Sequence, residues 1–480
     1  YYQRPWTLVI NGDIFDFLQV VSLPAQGPEL AAVKGVSSHD DLSANEREYG
    51  LGTRSAEIVW KLQQVAAGHP LFFEALAWFV AHEGYEIVLM KGNHDIEIFW
   101  PDVQAEIRRQ LRRCYVNWRV QVDADASRTP LPEHDDMPEV LAAADLETAV
   151  QFPEMYYYVP DLLFAEHGCQ YDPVNSFTNF KDPRLPHLPE LIELPSGSFF
   201  VRYFFNKIEE IHPFADNIKP ILKYVNWVVA NAPSALVRVL FELLPRYLRA
   251  LVKMKWKEFQ DWQRRRRGEV RQPDPNLESA GGRFEADLLK LQAEVRKKMK
   301  RDSTKTSYGT GLSVILNVAS VVLFLFAVRA FVLSQNGMTA ILFGAGILAA
   351  FASSLLIRGL DALFTSPFLR DAAVSVSEIL AKSGDLGSVS YFIYGHDHNA
   401  GLYPIHRGRA GAAPQWYVNT GAWIPVFSEE ERLLREDVQL TFLRILPGKP
   451  GFATAVPELL QWDYDADRPR GIRMFAEDEK

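Results

Sequence analysis

The sequence predicts an α/β fold in which short strands end in polar residues that are able to bind metal ions. Residues 7–10 form a β-branched apolar run that leads into Asn-Gly-Asp, and residues 86–90 form a second run that leads into Lys-Gly-Asn-His-Asp. Between them, residues 56–80 have the apolar spacing of a helix, with a break near Gly68-His69-Pro70. Strands that alternate with helices and end in polar side chains are typical of α/β proteins whose chemistry lies on loops.

Three more predicted strands follow the same pattern later in the chain. Residues 162–165 lead into a Glu-His-Gly sequence that contains His167. Residues 391–394 lead into Gly-His-Asp-His, and residues 416–418 lead into Asn-Thr-Gly. Because the polar clusters recur at strand ends, we expect their side chains to meet in the folded protein.

The composition indicates a folded protein rather than a disordered one. The chain has 480 residues, of which 48% are hydrophobic and 12% aromatic. Its net charge of −9 gives no reason to expect a nucleic-acid partner. The two cysteines, Cys114 and Cys169, cannot form a disulfide framework. The oligomeric state is not indicated by the sequence.

The middle of the chain differs in character from both ends. Residues 196–305 are rich in aromatic and basic residues and predict a helical insert, or cap. Residues 306–328 and 338–357 carry no charge, and each segment is close to the roughly 20 residues that a helix needs to cross a bilayer. Basic residues on both sides of this pair predict a transmembrane hairpin whose two ends, and the catalytic domain, are cytoplasmic. The alternative is a buried hairpin in the core of a soluble protein.

The polar clusters carry the residue types of a metal-dependent hydrolase. The candidate side chains are Asp13, Asp16, Asn93, His94, Asp95, His167, His396 and His398. Imidazole, carboxylate and amide-oxygen ligands suit Zn, Mn or Fe. Two such ions about 3.5–4 Å apart can activate water and stabilise the attacking and leaving oxygens at phosphorus. A bridging carboxylate is the natural way to hold both ions, and Asp13 is the candidate for this role.

The ordered set Gly-Asp-x-x-Asp, Gly-Asn-His-Asp, His-Gly and Gly-His-x-His resembles the calcineurin-like metallophosphoesterases, and its bacterial members in particular. The resemblance covers residues 5–180 and 375–425, about half of the chain. It implies a two-layer β-sandwich flanked by helices. It also implies two divalent metal ions, with Mn, Fe and Zn as the candidates, and hydrolysis of a phosphorylated substrate.

The resemblance assigns a role to each candidate metal ligand. Asp13 would bridge the two ions. Asn93, His167 and His396 would bind the second ion, and His398 would bind the first.

The same resemblance assigns the remaining polar residues to the chemical step. His94 would lie over the phosphoryl group as electrostatic stabiliser or general acid, and Asp95 would orient it. Asp16 would fix the orientation or tautomer of a ligand without binding metal itself.

One motif of the family is missing at the start of the chain. An Asp-x-His sequence normally precedes Gly-Asp-x-x-Asp by some tens of residues, but only eleven residues precede Gly12, and none of them is Asp or His. The first ion therefore lacks two ligands here. We expect truncation, and the alternative is a protein that has lost this site.

The predicted organisation and function follow from these features. The four regions are a first part of the metallophosphoesterase core at 1–195, the insert at 196–305, the transmembrane hairpin at 306–358 and a second part of the core at 359–480. The main hypothesis is a phosphohydrolase that cleaves a phosphate ester or pyrophosphate of a membrane-associated, lipid-linked substrate. The alternatives are a tethered phosphodiesterase or phosphatase of soluble substrates and a non-catalytic membrane scaffold with a degenerate metal site.

Overall fold

The computed structural model of this chain describes two long stretches and a series of shorter ones. The described residues are 5–124, 141–172, 174–186, 188–209, 246, 249, 282–295, 368–384, 386–387, 389–398, 400–405, 415–423, 425–428, 435–438, 440–446 and 456–472. Most of the predicted insert at 196–305 and all of the predicted hairpin at 306–358 lie outside these residues. The division of the chain into four regions therefore stays a prediction.

The described secondary structure mixes helices with short strands. The strands are β1 Thr7–Asn11, β2 Glu86–Met90, β3 Val150–Gln151, β4 Tyr157–Val159, β5 Leu163–Ala165, β6 Arg184–Leu185, β7 Leu188–Ile192, β8 Tyr391–Tyr394, β9 Gly401–Ile405, β10 Gln415–Asn419, β11 Pro425–Ser428, β12 Arg435–Val438, β13 Thr441–Leu446, β14 Val456–Asp463 and β15 Arg468–Gly471. The α-helices are α1 Pro28–Lys34, α2 Ala44–Tyr49, α3 Ser55–Gly68, α4 Pro70–Val80, α5 Pro101–Ala124, α6 Ala143–Ala149, α7 Ser196–Phe200, α8 Asn206–Glu209, α9 283–295 and α10 Phe368–Ser383.

The first sheet brings the loops after β1 and β2 to one edge. Strands β1, β2 and β3 are all parallel and lie in that order. Asn11, the last residue of β1, pairs with Met90, the last residue of β2. Parallel strands in this register end at the same edge, so the two polar loops begin side by side.

Helices α3, α4 and α5 share an apolar core with this sheet. Ile58 and Leu62 of α3, Phe73 of α4 and Leu111 of α5 are fully buried in one cluster with Ile87 of β2. The predicted break between α3 and α4 is confirmed, because α3 ends at Gly68 and α4 begins with a proline at its first position. Such burial stabilises the fold by about 25 cal/mol for each Å² of apolar surface removed from water.

The second sheet brings the loops after β5 and β8 to the same region. Its strand order is β4-β5-β8-β10-β9, and β5, β8 and β10 run parallel. Val88 and Met90 of the first sheet are buried in one apolar cluster with Leu163, Ile393 and Val418 of the second. This shared cluster places the carboxyl ends of strands from both sheets around one point.

The predicted metallophosphoesterase-type β-sandwich is wrong as a description of the fold. The described strands form five separate sheets of three, five, two, three and two strands in a mixed α/β arrangement, without a clear sandwich. Apolar runs indicate which segments become strands. They do not indicate which strands share a sheet, because that depends on hydrogen bonds between segments that are distant in the chain.

The predicted two-helix membrane protein is corrected as well. Among the helices that the structure describes, none combines the length and the apolar character that crossing a membrane requires. The longest of them, α5, has 24 residues but contains many charged side chains. The prediction was based on two uncharged segments that lie outside the described residues. An uncharged run is necessary for a spanning helix, but it also suits a buried core helix. The transmembrane hairpin, the membrane as a partner and the cytoplasmic placement are therefore not carried into the function proposed below.

Candidate metal centre

Asp13 lies in a tight loop directly after β1. Its backbone has φ +56°, a left-handed conformation that is uncommon for a residue with a side chain. The Asp13 Oδ1 atom accepts a hydrogen bond of 2.8 Å from the backbone N–H of His94, and Oδ2 lies 3.0 Å from Nε2 of His167. Gly12 is needed beside it, because a Cβ there would lie 2.5 Å from Nδ1 of His167. The loop geometry thus aims the Asp13 carboxylate at a histidine ring from the other sheet.

The Asp95 carboxylate joins the two loops of the first sheet. Its Oδ1 accepts from the N–H of Gly92 at 2.6 Å, and its Oδ2 accepts from the N–H groups of Ile14 at 2.8 Å and Phe15 at 3.3 Å. Burial raises the pKa of Asp95 to about 6, and the nearby Asp13 charge acts in the same direction. The structure differs here from the expected role, because these contacts are to backbone and not to the His94 ring. Asp95 fixes the positions of the loops that carry the candidate ligands.

His167 follows β5 and is buried with a defined tautomer. Its Nδ1 lies 2.8 Å from the Asn11 carbonyl oxygen, which can only accept, so Nδ1 carries the hydrogen. The other nitrogen, Nε2, faces Oδ2 of Asp13 at 3.0 Å and Oδ1 of Asn93 at 3.2 Å. In the neutral ring Nε2 is itself an acceptor, so three acceptor atoms converge without a donor between them.

The charges in this cluster shift the pKa values of His167 and Asp13. Burial opposes a charge on His167, but the Asp13 carboxylate outweighs it and raises the pKa of His167 above its ordinary value. Burial acts to raise the pKa of Asp13, but His167 and His94 hold it well below its usual range. The cluster therefore favours a positive charge beside the Asp13 carboxylate, in the form of either a proton or a cation.

His396 follows β8 and is joined to the His167 loop through the backbone. The N–H groups of Gly395 and His396 both donate to the His167 carbonyl oxygen, at 3.1 and 3.0 Å. The two imidazole rings lie with centroids 5.3 Å apart at an angle of 71°. Nε2 of His396 lies 3.1 Å from Oδ2 of Asp172. Burial acts to raise the pKa of Asp172, but the contact with His396 and the hydrogen bonds from Val174 and Asn175 together outweigh it, and the pKa is lowered.

The candidate ligand atoms of Asp13, His167 and His396 lie within 4.8 Å of one another. They comprise one carboxylate oxygen and two imidazole nitrogens, a donor set that suits Zn, Mn or Fe. The Asn93 amide oxygen lies against the same His167 nitrogen. These residues fit one divalent ion. His398 is not in this group among the residues that the structure describes, so its predicted role at another ion stays a prediction.

His94 lies at the exposed side of the cluster and is oriented by Asp16. Its Nδ1 lies 2.8 Å from Oδ2 of Asp16, and the two side chains are 24% and 28% exposed. Oδ1 of Asp16 accepts from the N–H groups of Leu18 and Gln19, which fixes the carboxylate. The expected positioning role of Asp16 therefore applies to His94, whereas the sequence-based prediction gave that contact to Asp95.

Two residues at this site were not singled out from the sequence. Asn11 supplies the carbonyl that sets the His167 tautomer, and a backbone group has no sequence signal. Asp172 contacts His396 and lies five residues after His167, in Gln-Tyr-Asp-Pro-Val-Asn. An acidic residue in a turn close to a ligand motif was the signal that could have pointed to it.

No family model, no curated protein and no solved structure matched this chain. The resemblance to metallophosphoesterases therefore rests on the motif residues alone and stays a prediction.

Proposed function

We propose that the protein is a metal-dependent phosphohydrolase that cleaves a phosphate ester or a pyrophosphate. One observation carries the proposal. The candidate ligand atoms of Asp13, His167 and His396 come from three loops at the ends of β1, β5 and β8, and they converge within 4.8 Å. A partly exposed histidine, His94, lies beside them and is connected to Asp13 through its backbone N–H.

The hydrogen-bond pattern supports a cation at this point over a purely structural polar cluster. A structural cluster pairs each buried acceptor with a donor. Here Nδ1 of His167 donates to Asn11, so its Nε2 faces the oxygens of Asp13 and Asn93 without a hydrogen to share unless the ring is charged. A metal ion held among these atoms would satisfy all three acceptors.

The protein's own side chains would bind the ion and hold the loops that carry its ligands. Asp13, Asn93, His167 and His396 would hold the ion. When bound, a divalent ion supplies Lewis-acid chemistry, in which its charge polarises a phosphoryl oxygen and favours loss of a proton from water. Asp95 holds the Gly92 and Ile14 backbones in place, so the ligands need little rearrangement before they bind the ion.

His94 would act on the leaving oxygen of the substrate. Asp16 accepts the Nδ1 proton and orients the ring. In the positively charged imidazolium form, Nε2 also carries a proton and is then the nitrogen that would donate it to the leaving oxygen. The ring is partly exposed, as a group that meets a substrate must be. General acid catalysis of this kind typically contributes roughly 10²- to 10⁴-fold to the rate.

The experiment that tests the proposal measures metal binding and hydrolysis on the same samples. The metal-free protein is titrated with Mn²⁺ or Zn²⁺ and then assayed with p-nitrophenyl phosphate, bis-p-nitrophenyl phosphate and pyrophosphate. We expect metal-dependent cleavage of at least one of these, and its loss when Asn93 and His396 are both replaced by Ala. The control is His39→Ala, because His39 contacts the Pro24 carbonyl and lies outside the cluster. Cleavage that persists in the double variant would defeat the proposal, and so would metal binding without cleavage of any of the three substrates.

A further inference from the structure

We propose that Asp172 is a positioning residue for His396: its carboxylate holds the hydrogen of Nε2 and so presents Nδ1 of the same ring to the metal ion. This inference rests on the proposed function, because it concerns a ligand of that metal site. Asp172 lies outside every motif that the sequence indicates. The geometry that points to it is the 3.1 Å contact between Oδ2 of Asp172 and Nε2 of His396.

The Asp172 carboxylate is held in place by its own loop. Its Oδ1 accepts from the N–H of Val174 at 2.9 Å, and its Oδ2 accepts from the side-chain amide of Asn175 at 2.8 Å. The backbone N–H of Asp172 donates to the Cys169 carbonyl oxygen at the end of a short 3₁₀ turn. A carboxylate that is fixed by two donors from its own loop is a rigid acceptor for a third donor, the imidazole of His396.

The contact decides which nitrogen of His396 is able to bind a metal ion. A nitrogen that donates its hydrogen to a carboxylate has no lone pair to offer an ion. With Nε2 occupied in this way, Nδ1 is the nitrogen that carries the lone pair. The side chain of His396 is only 10% exposed, so packing as well as the hydrogen bond limits rotation of the ring.

The two histidines of the centre would then offer opposite ring nitrogens. His167 donates from Nδ1 to the Asn11 carbonyl and offers Nε2, whereas His396 donates from Nε2 to Asp172 and offers Nδ1. In both cases an acceptor behind the ring sets the tautomer, which is the usual arrangement around metal-binding histidines. The acceptor is backbone in the first case and a side chain in the second, so only the second can be removed by substitution.

The substitution Asp172→Asn tests the tautomer directly. If the new amide nitrogen replaces Oδ2, it donates to Nε2 of His396 and forces the hydrogen onto Nδ1, the nitrogen that the ion needs. If it replaces Oδ1, it faces the N–H of Val174 and the loop loses a hydrogen bond. Either arrangement weakens the support behind His396 with almost no change in side-chain volume.

The matched control is Asp182→Asn. It removes the same charge from the same part of the chain, but Asp182 pairs with Arg184 and does not have the contact to His396 that defines Asp172. Asn175→Ala is a milder variant, because it keeps the Asp172 carboxylate and removes one donor that holds it.

Calorimetric titration and NMR test the positioning role of Asp172, and thermal unfolding is the control. Calorimetric titration with Mn²⁺ should show roughly 10- to 100-fold weaker binding by Asp172→Asn, a smaller loss for Asn175→Ala and no loss for Asp182→Asn. Thermal unfolding of the metal-free proteins separates this effect from misfolding. Nitrogen-15 NMR of the metal-free wild type should show His396 with its hydrogen on Nε2, and this measurement needs no variant.

The outcomes that would overturn the inference are distinct from those that would overturn the proposed function. If the wild type binds Mn²⁺ and a folded Asp172→Asn binds it equally well, Asp172 has no positioning role. A hydrogen on Nδ1 of His396 in the wild-type NMR spectrum would have the same consequence. If the wild type binds neither Mn²⁺ nor Zn²⁺, the metal site itself is wrong and the proposed function fails with the inference.

Discussion

The two pairs of loops that meet at the candidate metal centre are held by different kinds of contact. In the pair after β1 and β2, the motif residues hold one another: Asp95 accepts three backbone N–H groups, and Asp13 accepts the N–H of His94. In the pair after β5 and β8, the ligands are oriented by residues outside their motifs. Asn11 holds the ring of His167, and Asp172 holds the ring of His396.

This difference explains which part of the centre a sequence reveals. A motif that supports its own geometry contains its ligands and their supports within a few residues. Imidazole ligands need an acceptor behind the ring, and that acceptor can come from anywhere in the fold. We therefore expect substitutions in the first pair to change the negative charge at the metal site and the stability of the loops. Substitutions in the second pair should change the orientation of the two imidazole rings.

The largest effect is expected from Asp13→Asn. This change removes the charge that faces Nε2 of His167 and weakens the contact to His94. Metal affinity should fall by more than the roughly 10- to 100-fold that is typical of residues behind the ligands, and hydrolysis should fall to background. The matched control is Asp16→Asn in the same Gly-Asp-Ile-Phe-Asp motif, which should keep metal binding in a calorimetric titration. An equal loss of metal affinity in both variants would show that Asp13 contributes no more to metal binding than Asp16 does.

The second-largest effect is expected from His94→Asn. This change removes the proton donor but keeps the hydrogen bond from the backbone N–H of residue 94 to Asp13. Steady-state kinetics should show kcat lower by roughly 10²- to 10⁴-fold, with Mn²⁺ affinity unchanged. A parallel loss of metal affinity would mean that His94 supports the ligands instead of the chemical step.

The third effect concerns Glu166, which is buried beside His167 in the second pair of loops. Its oxygens accept from the hydroxyl of Tyr171 at 2.7 Å and the side-chain amide of Gln292 at 3.4 Å, but burial dominates and raises its pKa to about 7 from an ordinary 4.5. The folded state therefore holds the proton over a pH range in which the unfolded state has released it. Stability from this group is complete below the unfolded pKa and is lost as the pH rises through the folded pKa.

Chemical denaturation of the metal-free protein tests the direction of this change in stability with pH. The free energy of unfolding of the wild type should fall by up to about 3 kcal/mol between roughly pH 5 and pH 8 relative to Glu166→Gln, because one pKa unit is worth about 1.4 kcal/mol. A wild type whose stability rises relative to Glu166→Gln over this range would contradict the account.

The smallest effect is expected from Asp95→Asn in the first pair of loops. The new amide nitrogen must face at least one of the N–H groups that the carboxylate now accepts, from Gly92, Ile14 or Phe15. Leaving a buried donor unsatisfied costs about 2 kcal/mol, so the free energy of unfolding should fall by that amount. The effect should be similar in the metal-free and metal-loaded protein. A variant as stable as the wild type would show that these hydrogen bonds do not hold the loops.

The strands that carry the centre could be predicted from the sequence because their signals are local. The apolar runs at 7–10, 86–90, 162–165, 391–394 and 416–418 coincide with β1, β2, β5, β8 and β10. Each is a short apolar or aromatic segment that is followed directly by glycine or a polar residue, which is a pattern of neighbouring residues. The parallel pairing of β5 with β8 places His167 beside His396, but Asp13 follows a strand of the other sheet, so its convergence with them also depends on the packing of the two sheets.

The features that were missed depend on contacts between distant segments. The contact of Asp172 with His396 joins positions 224 residues apart, and that of Asp95 with Ile14 joins positions 81 apart. Asp95 and His94 are neighbours in the chain, yet the Asp95 carboxylate bonds to the backbone of the other loop. The division into five sheets was missed for the same reason. A single apolar run does not indicate which other strand it pairs with.

The central claim is that three loops hold a metal ion between Asp13, His167 and His396. Anomalous diffraction from crystals soaked in Mn²⁺ tests it most directly. We predict a single strong anomalous peak within ligand distance of Oδ2 of Asp13, Nε2 of His167 and Nδ1 of His396. Density that shows no peak among these atoms, in crystals that bind Mn²⁺ at another position, would contradict the account.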